Sequence, residues 1–450
     1  CLEFILNKCR YGKRCSFLHP DKDTVEKTLD KLARQACKFG SKCTRPDCLF
    51  SHPGGRNKRR RDREPGDELP CKDRDSSSSR ERPMPMMKAV GWKDRSGVPV
   101  LEEFLLPRLV PESNSKDLLV RLRGTDINPL SLKQREGATS TELVPSGAPG
   151  VDPVLAYSAA GIIEELSEDA MTSGKFKVGD EVWFAKVLES SRNNIQQYCL
   201  VDYRLVSLKP KFLPFSDASA IPLAALTVWG GMMEHMNMDV HLTGTGLRPP
   251  RFTPENKAVF LALPGACAAG SLALQLAARY LNKNHNLIIV ASASRPESVD
   301  WCTKMGANFV INHDAYNFKD ELEKLGIKGV DYVLYGSPPP QYEEKLYGVM
   351  NPLGQIASYH EGNFAKVDAS IPKRIVLYQE HVGVSNLLEL DGEVLAAVAR
   401  LFDDPTMCLQ SVVKEKFKEL TAETVYKART WHSLRLIDGD AIGNAAFEFD

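Results

Sequence analysis

The sequence lacks any long apolar run, since none approaches the roughly 18 apolar residues that a membrane-spanning helix needs. It also opens without the basic, apolar and small-residue succession of a secretory signal segment. With 26% charged and 43% hydrophobic residues, the composition excludes a wholly disordered chain, a fibre and a disulfide knot. We therefore expect two or three globular domains in 450 residues, in a soluble intracellular protein with no membrane partner.

The net charge of the whole chain is zero, but the charged residues are unevenly distributed along it. Residues 1–87 carry 21 Lys and Arg against 13 Asp and Glu, which leaves 37 against 45 for the remainder of the 58 of each kind. A basic head joined to a mildly acidic body predicts a polyanionic partner for the head alone.

Cysteine is scarce outside the head, where six of the 11 cysteines lie within the first 48 residues. Two segments there have complete Cys3His sets, spaced C-x7-C-x5-C-x3-H and C-x5-C-x4-C-x3-H. Zinc takes four such ligands tetrahedrally and can replace the core of a very short segment. Chance clustering is a poor alternative because both sets close with C-x3-H. The predicted ligands of two structural zinc ions are Cys1, Cys9, Cys15 and His19, and Cys37, Cys43, Cys48 and His52.

Aromatic and basic residues fill the loops between these ligands, as in Cys9-Arg-Tyr-Gly-Lys-Arg-Cys15 and Cys37-Lys-Phe-Gly-Ser-Lys-Cys43. Bases of single-stranded RNA stack on such rings while cations contact phosphate. The alternative is that the rings only cover the zinc. Residues 1–53 resemble the CCCH (C3H1-type) zinc-finger family, and especially its poly(A)- and mRNA-binding members. The predicted RNA-binding residues are Arg10, Tyr11, Phe17, Lys38, Phe39 and Phe50.

Residues 54–85 have the composition of a disordered linker, with few apolar side chains, a Ser76–Ser79 run and mixed charge. Its basic cluster over 56–63 fits a nuclear-localisation signal, an additional phosphate contact, or a solvated charge run with neither function. We expect the protein in the nucleus, the cytoplasm or both.

From Met87 onward, short alternating strands predict a β-rich domain. Farther along, a strand over 257–263, a glycine-containing turn, a helix over 271–280 and a strand over 286–291 form a βαβ unit. Further strands at 307–311, 330–334 and 354–357 alternate with helical stretches, as a doubly wound sheet requires.

Several motifs carry a second resemblance, among them Ala159-Ala-Gly161, Val178-Gly-Asp-Glu-Val182 and Ile221-Pro-Leu-Ala-Ala-Leu-Thr227. From about residue 86 the chain resembles the medium-chain dehydrogenase/reductase superfamily, in its quinone oxidoreductase-like or zinc-type alcohol dehydrogenase-like branch. The resemblance implies a GroES-like β-barrel domain with an inserted Rossmann doubly wound parallel sheet. The expected fold begins with small zinc-stabilised fingers over 1–53. The α/β body is expected to divide into 86–215 (GroES-like), 216–382 (Rossmann) and 383–450 (return to the GroES-like domain).

The resemblance also defines expected site residues. Where zinc-dependent relatives place a Cys and a His, this sequence has Asn128 and Tyr157, which predicts a metal-free body. In the quinone oxidoreductase branch NADPH delivers hydride to an electron-poor alkene or quinone. Asn128 and Thr227 are the expected catalytic residues, near the substrate carbonyl and the nicotinamide. Ser294 and Arg295 stand where a 2′-phosphate would bind, and no carboxylate competes there, which favours NADP over NAD. The alternatives are that Thr227 caps a helix and that Arg295 is a solvated charge.

The glycine fingerprint is altered. Gly265 and Gly270 keep the first and third positions of G-x-G-x-x-G, but Cys267 replaces the second, where backbone approaches the pyrophosphate. Three functions stay open on the sequence. In the first, an RNA-binding module is joined to an active NADPH-dependent quinone or enone reductase. In the second, the protein binds RNA and its reductase-like body is catalytically silent, as a scaffold or nucleotide sensor. In the third, the body is the functional enzyme and the fingers are a protein-interaction module or a relic of gene fusion. A homodimer through the body is the expected assembly.

Overall fold

The structure, a computed structural model, describes residues of the second of two compact units. The first unit is Cys1–Arg82 and the second is Pro83–Asp450. The predictions for the zinc fingers and the linker therefore lie outside the described residues, as does Asn128. The described ranges are 85–95, 98–127, 151–153, 157–185, 195–245, 249–314, 317–336, 341–359, 376–379, 388–437 and 442–449.

The described strands form three sheets. Short β-branched and aromatic runs favour them, and turns with glycine at positive φ separate several, as at Gly179. The strands are β1 (Met86–Arg95), β2 (Val98–Pro107), β3 (Asp117–Ile127), β4 (Val151–Pro153), β5 (Ser158–Leu166), β6 (Glu181–Ala185), β7 (Ile195–Gln196), β8 (Tyr198–Asp202), β9 (Val206–Leu208), β10 (Ala258–Leu263), β11 (Leu287–Ser292), β12 (Phe309–Ile311), β13 (Val330–Tyr335), β14 (Met350–Ser358), β15 (Val376–Gln379), β16 (Val413–Lys418) and β17 (Asn444–Glu448).

Helices alternate with strands mainly in the middle of this unit. They are α1 (Glu168–Ser173), α2 (Phe215–Ser219), α3 (Pro222–Trp229), α4 (Met238–Thr243), α5 (Ala268–Gln275), α6 (Pro296–Met305), α7 (Phe318–Lys324), α8 (Gln341–Val349), α9 (Leu388–Asp403) and α10 (Ala422–Ile437). Helix α3 continues as a π-helix over Gly230–His235, and α5 as one over Leu276–Leu281. No helix among the described residues is long and apolar enough to cross a bilayer.

The central sheet has six strands in the order β12-β11-β10-β13-β14-β15, and all neighbouring pairs are parallel. Every residue of β10 and β13 is buried, because a parallel sheet is covered on both faces. One apolar cluster includes Phe260 and Leu272. A second apolar cluster, formed by other side chains of the same strands, includes Leu261 and Val333. The fixed parallel direction places the carboxyl ends of these strands along one edge.

The other two sheets pair mostly antiparallel strands. One has the order β16-β17-β3-β5-β6-β9 with β8 also on β3, and the other joins β1 to β2, β4 and β7. Along β3, half-buried and buried residues partly alternate, and Leu118, Val120 and Leu122 contribute to its core cluster. The chain thus leaves this sheet after β9, forms the parallel sheet, and returns with β16 and β17. The division limits at 215/216 and 382/383 stay predictions.

Candidate functional site

The turn between β10 and α5 has glycine at two positions because no side chain fits there. A Cβ on Gly265 would lie 2.7 Å from the Cβ of Ala291, on the neighbouring strand β11. A Cβ on Gly270 would lie 2.2 Å from the carbonyl oxygen of Pro264. The first glycine therefore allows the tight turn and the third allows the helix to pack on it, as the fingerprint predicts.

Cys267 occupies the N-cap of α5 in an extended conformation, with φ −67° and ψ 169°. Its Sγ accepts a hydrogen bond from the backbone N–H of Gly270 at 3.3 Å. The helix consequently begins at Ala268 and not at Ser271, where the sequence pattern placed it. The thiol stands where a helix N-terminus presents its free N–H groups to an anion.

Tyr359 closes over this thiol, and sequence reasoning missed it. It directly follows β14, and its hydroxyl lies 3.4 Å from the Sγ of Cys267. Its ring also packs on the end of β13, because a Cβ on Gly336 would lie 2.0 Å from the Tyr359 hydroxyl oxygen. The available signal was an aromatic residue at the carboxyl end of a strand in a parallel sheet.

Both groups in this contact are neutral at neutral pH. Burial raises the pKa of the Cys267 thiol, and it raises the pKa of the Tyr359 phenol well above its usual range. Burial also raises the pKa of the nearby Cys302 thiol to about 12, with a contribution from Cys267. Neither thiol is a thiolate nucleophile, because desolvation disfavours the charged form.

A dinucleotide fits this turn only in part. The two glycines preserve the backbone path of the fingerprint, but the side chains of Cys267 and Tyr359 lie at the N-terminus of α5, which is where turns of this type bind a pyrophosphate. In this arrangement a pyrophosphate would compete with the Cys267 thiol for the Gly270 N–H.

Ser294 and Arg295 lie in the turn that follows β11. The strand ends at Ser292, one residue beyond the predicted end at 291 and two residues before Ser294. Arg295 is the N-cap residue of α6, and both residues are half-buried. The next acidic residue, Glu297, is exposed in the first turn of α6. The turn therefore presents a cation and a hydroxyl near the second strand of the βαβ unit.

The predicted catalytic residues are less informative. Thr227 is buried in α3, and its hydroxyl donates to the carbonyl oxygen of Leu223 at 2.9 Å. Its hydroxyl proton is thus used within its own helix. Tyr157, which stands at the second position of the absent metal site, is buried. Among the described residues, no three His, Cys, Asp or Glu side chains are arranged to hold a metal ion.

A buried carboxylate organises the polar side chains near the start of α3. Asp126 accepts hydrogen bonds from the backbone N–H of Ser158 at 3.1 Å and from the side-chain amide of Asn444 at 3.3 Å. The Ser158 hydroxyl accepts from the backbone N–H of Leu223 at 2.9 Å. Asp126 was not singled out from the sequence. The network joins β3, β5, β17 and α3 and uses the polar groups of Ser158 and Asn444 within the protein.

A separate cavity of about 710 Å³ lies between the β8–β9 region and α9. Its lining includes Arg204, Lys209, Gly392 and Arg400, and none of the predicted cofactor residues. Its charges are mixed, because Glu181, Glu393 and Asp403 also line it.

Comparison with known proteins supports both halves of the chain. Residues 1–20 and 36–53 match the family model described as "RNA-binding, Nab2-type zinc finger". A zinc-type alcohol dehydrogenase-like protein of Staphylococcus epidermidis is 29% identical over 279 residues, 60% of this chain and 73% of that protein. The chloroplastic NADPH-dependent alkenal/one oxidoreductase of Arabidopsis thaliana is 26% identical over 246 residues, and the chain spans 56% of its length.

Solved structures show the fold of the body. A putative zinc-dependent alcohol dehydrogenase from Rhizobium etli superposes with a TM-score of 0.66 at 24% identity, covering 81% of this chain and 98% of that one. Escherichia coli quinone oxidoreductase, solved with NADPH, superposes with a TM-score of 0.58 at 15% identity, covering 80% and 99%. The fold class and both resemblances are confirmed. The chain joins CCCH-type zinc-finger segments, which imply zinc, to a body with the GroES-like and Rossmann fold of the medium-chain dehydrogenase/reductases.

Proposed function

We propose that this protein binds single-stranded RNA through two zinc fingers and carries a quinone or enone reductase-like body that takes NADPH as its ligand. The head supports the first part through its match to an RNA-binding zinc-finger family. The eight proposed ligands are the two Cys3His sets, one ion for each set.

Zinc content tests the ligand sets directly. Cys15→Ser and Cys43→Ser each remove one ligand from a different set, so each variant should hold one ion fewer than the wild type. Cys408→Ser is the control because this exposed thiol belongs to the body. Undiminished zinc in the ligand variants would reject the sets.

RNA crosslinking tests the proposed stacking surface. Tyr11→Ala and Phe39→Ala together should weaken crosslinking to single-stranded RNA, because each removed stacking contact is worth about 1–3 kcal/mol. Zinc content must stay at the wild-type value, which separates lost stacking from a lost fold. Unchanged crosslinking would mean that the rings only cover the metal.

One observation carries the proposal for the body: the turn after β10 keeps both close-packed glycines, Gly265 and Gly270, and the turn after β11 supplies Ser294 and Arg295 without a carboxylate. Arg295 would hold a 2′-phosphate, and Gly265 would allow the tight turn at which the dinucleotide binds. When bound, NADPH would supply hydride to an electron-poor alkene or quinone. Asn128 and Thr227 stay predicted residues for orienting the ring and the substrate.

Cofactor titration of the full chain tests this assignment, with nicotinamide fluorescence as the signal. NADPH should bind more tightly than NADH, and Arg295→Ala should remove about 1 kcal/mol or more of that preference, because charge-assisted contacts to phosphate are strong. Lys304→Ala, on α6 away from the turn, is the matched control. Equal affinity for the two cofactors in the wild type would reject the NADP assignment, and quinones and enones would then not be the substrates to screen.

A catalytically silent body is the second candidate function. The specific observation in its favour is that Cys267 and Tyr359 fill the pyrophosphate position. No NADPH binding by the wild type, or binding without turnover of any quinone or enone, would select this candidate.

Assembly and location complete the proposal. We propose a homodimer formed through the body, which light scattering of the full chain would test. We also propose a nuclear or cytoplasmic location, which a fluorescent fusion with the 56–63 basic cluster replaced would test.

A further inference from the structure

The parallel sheet has its topological switch point between β10 and β13. From β10 the chain proceeds outward to β11 and β12, and then crosses back to β13, β14 and β15 on the other side. In open sheets of this kind, ligands bind in the crevice outside the carboxyl ends of the strands at the switch point. The residues that follow β10 and β13 therefore border the crevice.

Tyr359 reaches this crevice from the next strand along. It follows β14, and its ring extends past the end of β13 to the turn after β10. The hydroxyl oxygen and two ring atoms of Tyr359 crowd Gly336, since a Cβ there would lie 2.0 Å from the hydroxyl oxygen, 2.2 Å from Cζ and 2.6 Å from Cε2. The absence of a side chain at Gly336 is what allows the ring to lie against the end of β13.

The far end of the ring contacts the group that caps α5. The Tyr359 hydroxyl lies 3.4 Å from the Cys267 Sγ, which itself accepts from the Gly270 N–H. Helix N-terminal N–H groups are the donors that hold a pyrophosphate in this fold. Here the donor already has a protein partner, and the tyrosine covers that partner.

We propose that Tyr359 is a latch over the dinucleotide crevice, which must swing off Gly336 and Cys267 before a pyrophosphate can displace the Cys267 thiol from the Gly270 N–H. The latch rests on the proposed function, because its ligand is NADPH. Its contact joins a thiol to a phenol, and both groups are uncharged. A contact between neutral groups is weaker than the charge-assisted bond of a pyrophosphate to backbone N–H groups, so the ligand can replace it. Apparent affinity then falls with the fraction of molecules whose latch is closed.

Titration of the full chain with NADPH tests the latch, with nicotinamide fluorescence as the signal. Tyr359→Ala should lower the Kd about tenfold or more, as expected when a state populated at roughly a tenth becomes dominant. Tyr359→Phe removes the hydroxyl contact to the Cys267 Sγ but keeps the ring over Gly336, so its Kd should lie between those of wild type and Tyr359→Ala. Tyr426→Ala, an exposed tyrosine on α10, is the matched control. Cys267→Gly removes the thiol side of the same contact and should also lower the Kd for NADPH. This variant replaces Tyr359→Ala in the test if circular dichroism shows that Tyr359→Ala does not fold.

The outcomes separate the latch from the proposed function. The opening variants are Tyr359→Ala and Cys267→Gly. If both bind NADPH with the same Kd as the wild type, the latch is overturned and NADPH binding stands. Binding that appears only in the opening variants would support the latch. Failure of the wild type and of both opening variants to bind NADPH would overturn the latch together with the cofactor assignment.

Discussion

The surroundings of Asp126 and the N-terminus of α5 satisfy their polar groups in opposite ways. Around Asp126 a buried carboxylate accepts from Ser158 and Asn444. At α5 a backbone N–H has only the neutral thiol of Cys267, covered by the phenol of Tyr359. Separating a buried carboxyl group from the donors that it satisfies is costly, whereas a thiol contact is readily exchanged. We therefore expect the polar groups around Asp126 to be structural, and those at the N-terminus of α5 to be exchangeable for a ligand as proposed above.

The largest effect is expected at the carboxylate. Asp126→Ala leaves the Ser158 N–H and the Asn444 amide without this acceptor in a buried place, and should lower the free energy of unfolding by about 2–4 kcal/mol. Urea unfolding of the full chain measures it. Asp126→Asn keeps one acceptor oxygen and should lose less. A change below about 0.5 kcal/mol in the alanine variant would show that the network is not structural.

A smaller effect on the free energy of unfolding is expected where Tyr359 packs on Gly336. Gly336→Ala places a methyl group against the Tyr359 ring and should cost about 1–3 kcal/mol of unfolding free energy. The same change in a Tyr359→Ala background should cost much less, because the clashing ring is gone. Gly348→Ala, where an added Cβ would meet nothing within 4 Å, is the control. Equal costs in the two backgrounds would mean that the ring does not pack on Gly336.

The smallest effect is expected at a charged contact nearer the surface, between Asp202 and Arg204. Burial alone would raise the pKa of Asp202, but hydrogen bonds from the side chain and backbone of Arg204 outweigh it and hold the pKa below its ordinary value. A lowered carboxyl pKa stabilises the fold above the unfolded value of about 3.9, and this stabilisation is lost as pH falls through the folded pKa.

Asp202→Asn should therefore lower the unfolding free energy by about 0.5–1 kcal/mol at pH 7. The difference from wild type should narrow as pH falls below about 4. Urea midpoints measured across this range provide the test, with Asp169→Asn, at an exposed carboxylate, as control. A difference that is constant with pH would assign the loss to packing and not to charge.

Local pattern accounts for most of the fold. The strands over 257–263, 286–291 and 330–334 were predicted within about two residues, because buried parallel strands are short apolar runs between turn residues. The start of α5 was wrong by three residues, from Ser271 to Ala268. The error has a physical cause: a cysteine caps the helix, and cysteine is not among the residues that usually signal a helix start.

The sequence by itself determined the order of the elements and the glycines at 265 and 270, and it predicts the zinc ligand sets, because each depends on residues close together in the chain. Only the tertiary structure decided which distant groups meet. Tyr359 contacts Cys267 across 92 positions, and Asn444 contacts Asp126 across 318. The physical reason is that sheet topology, and not spacing along the chain, brings the carboxyl ends of β10, β13 and β14 to one edge and returns β17 to β3.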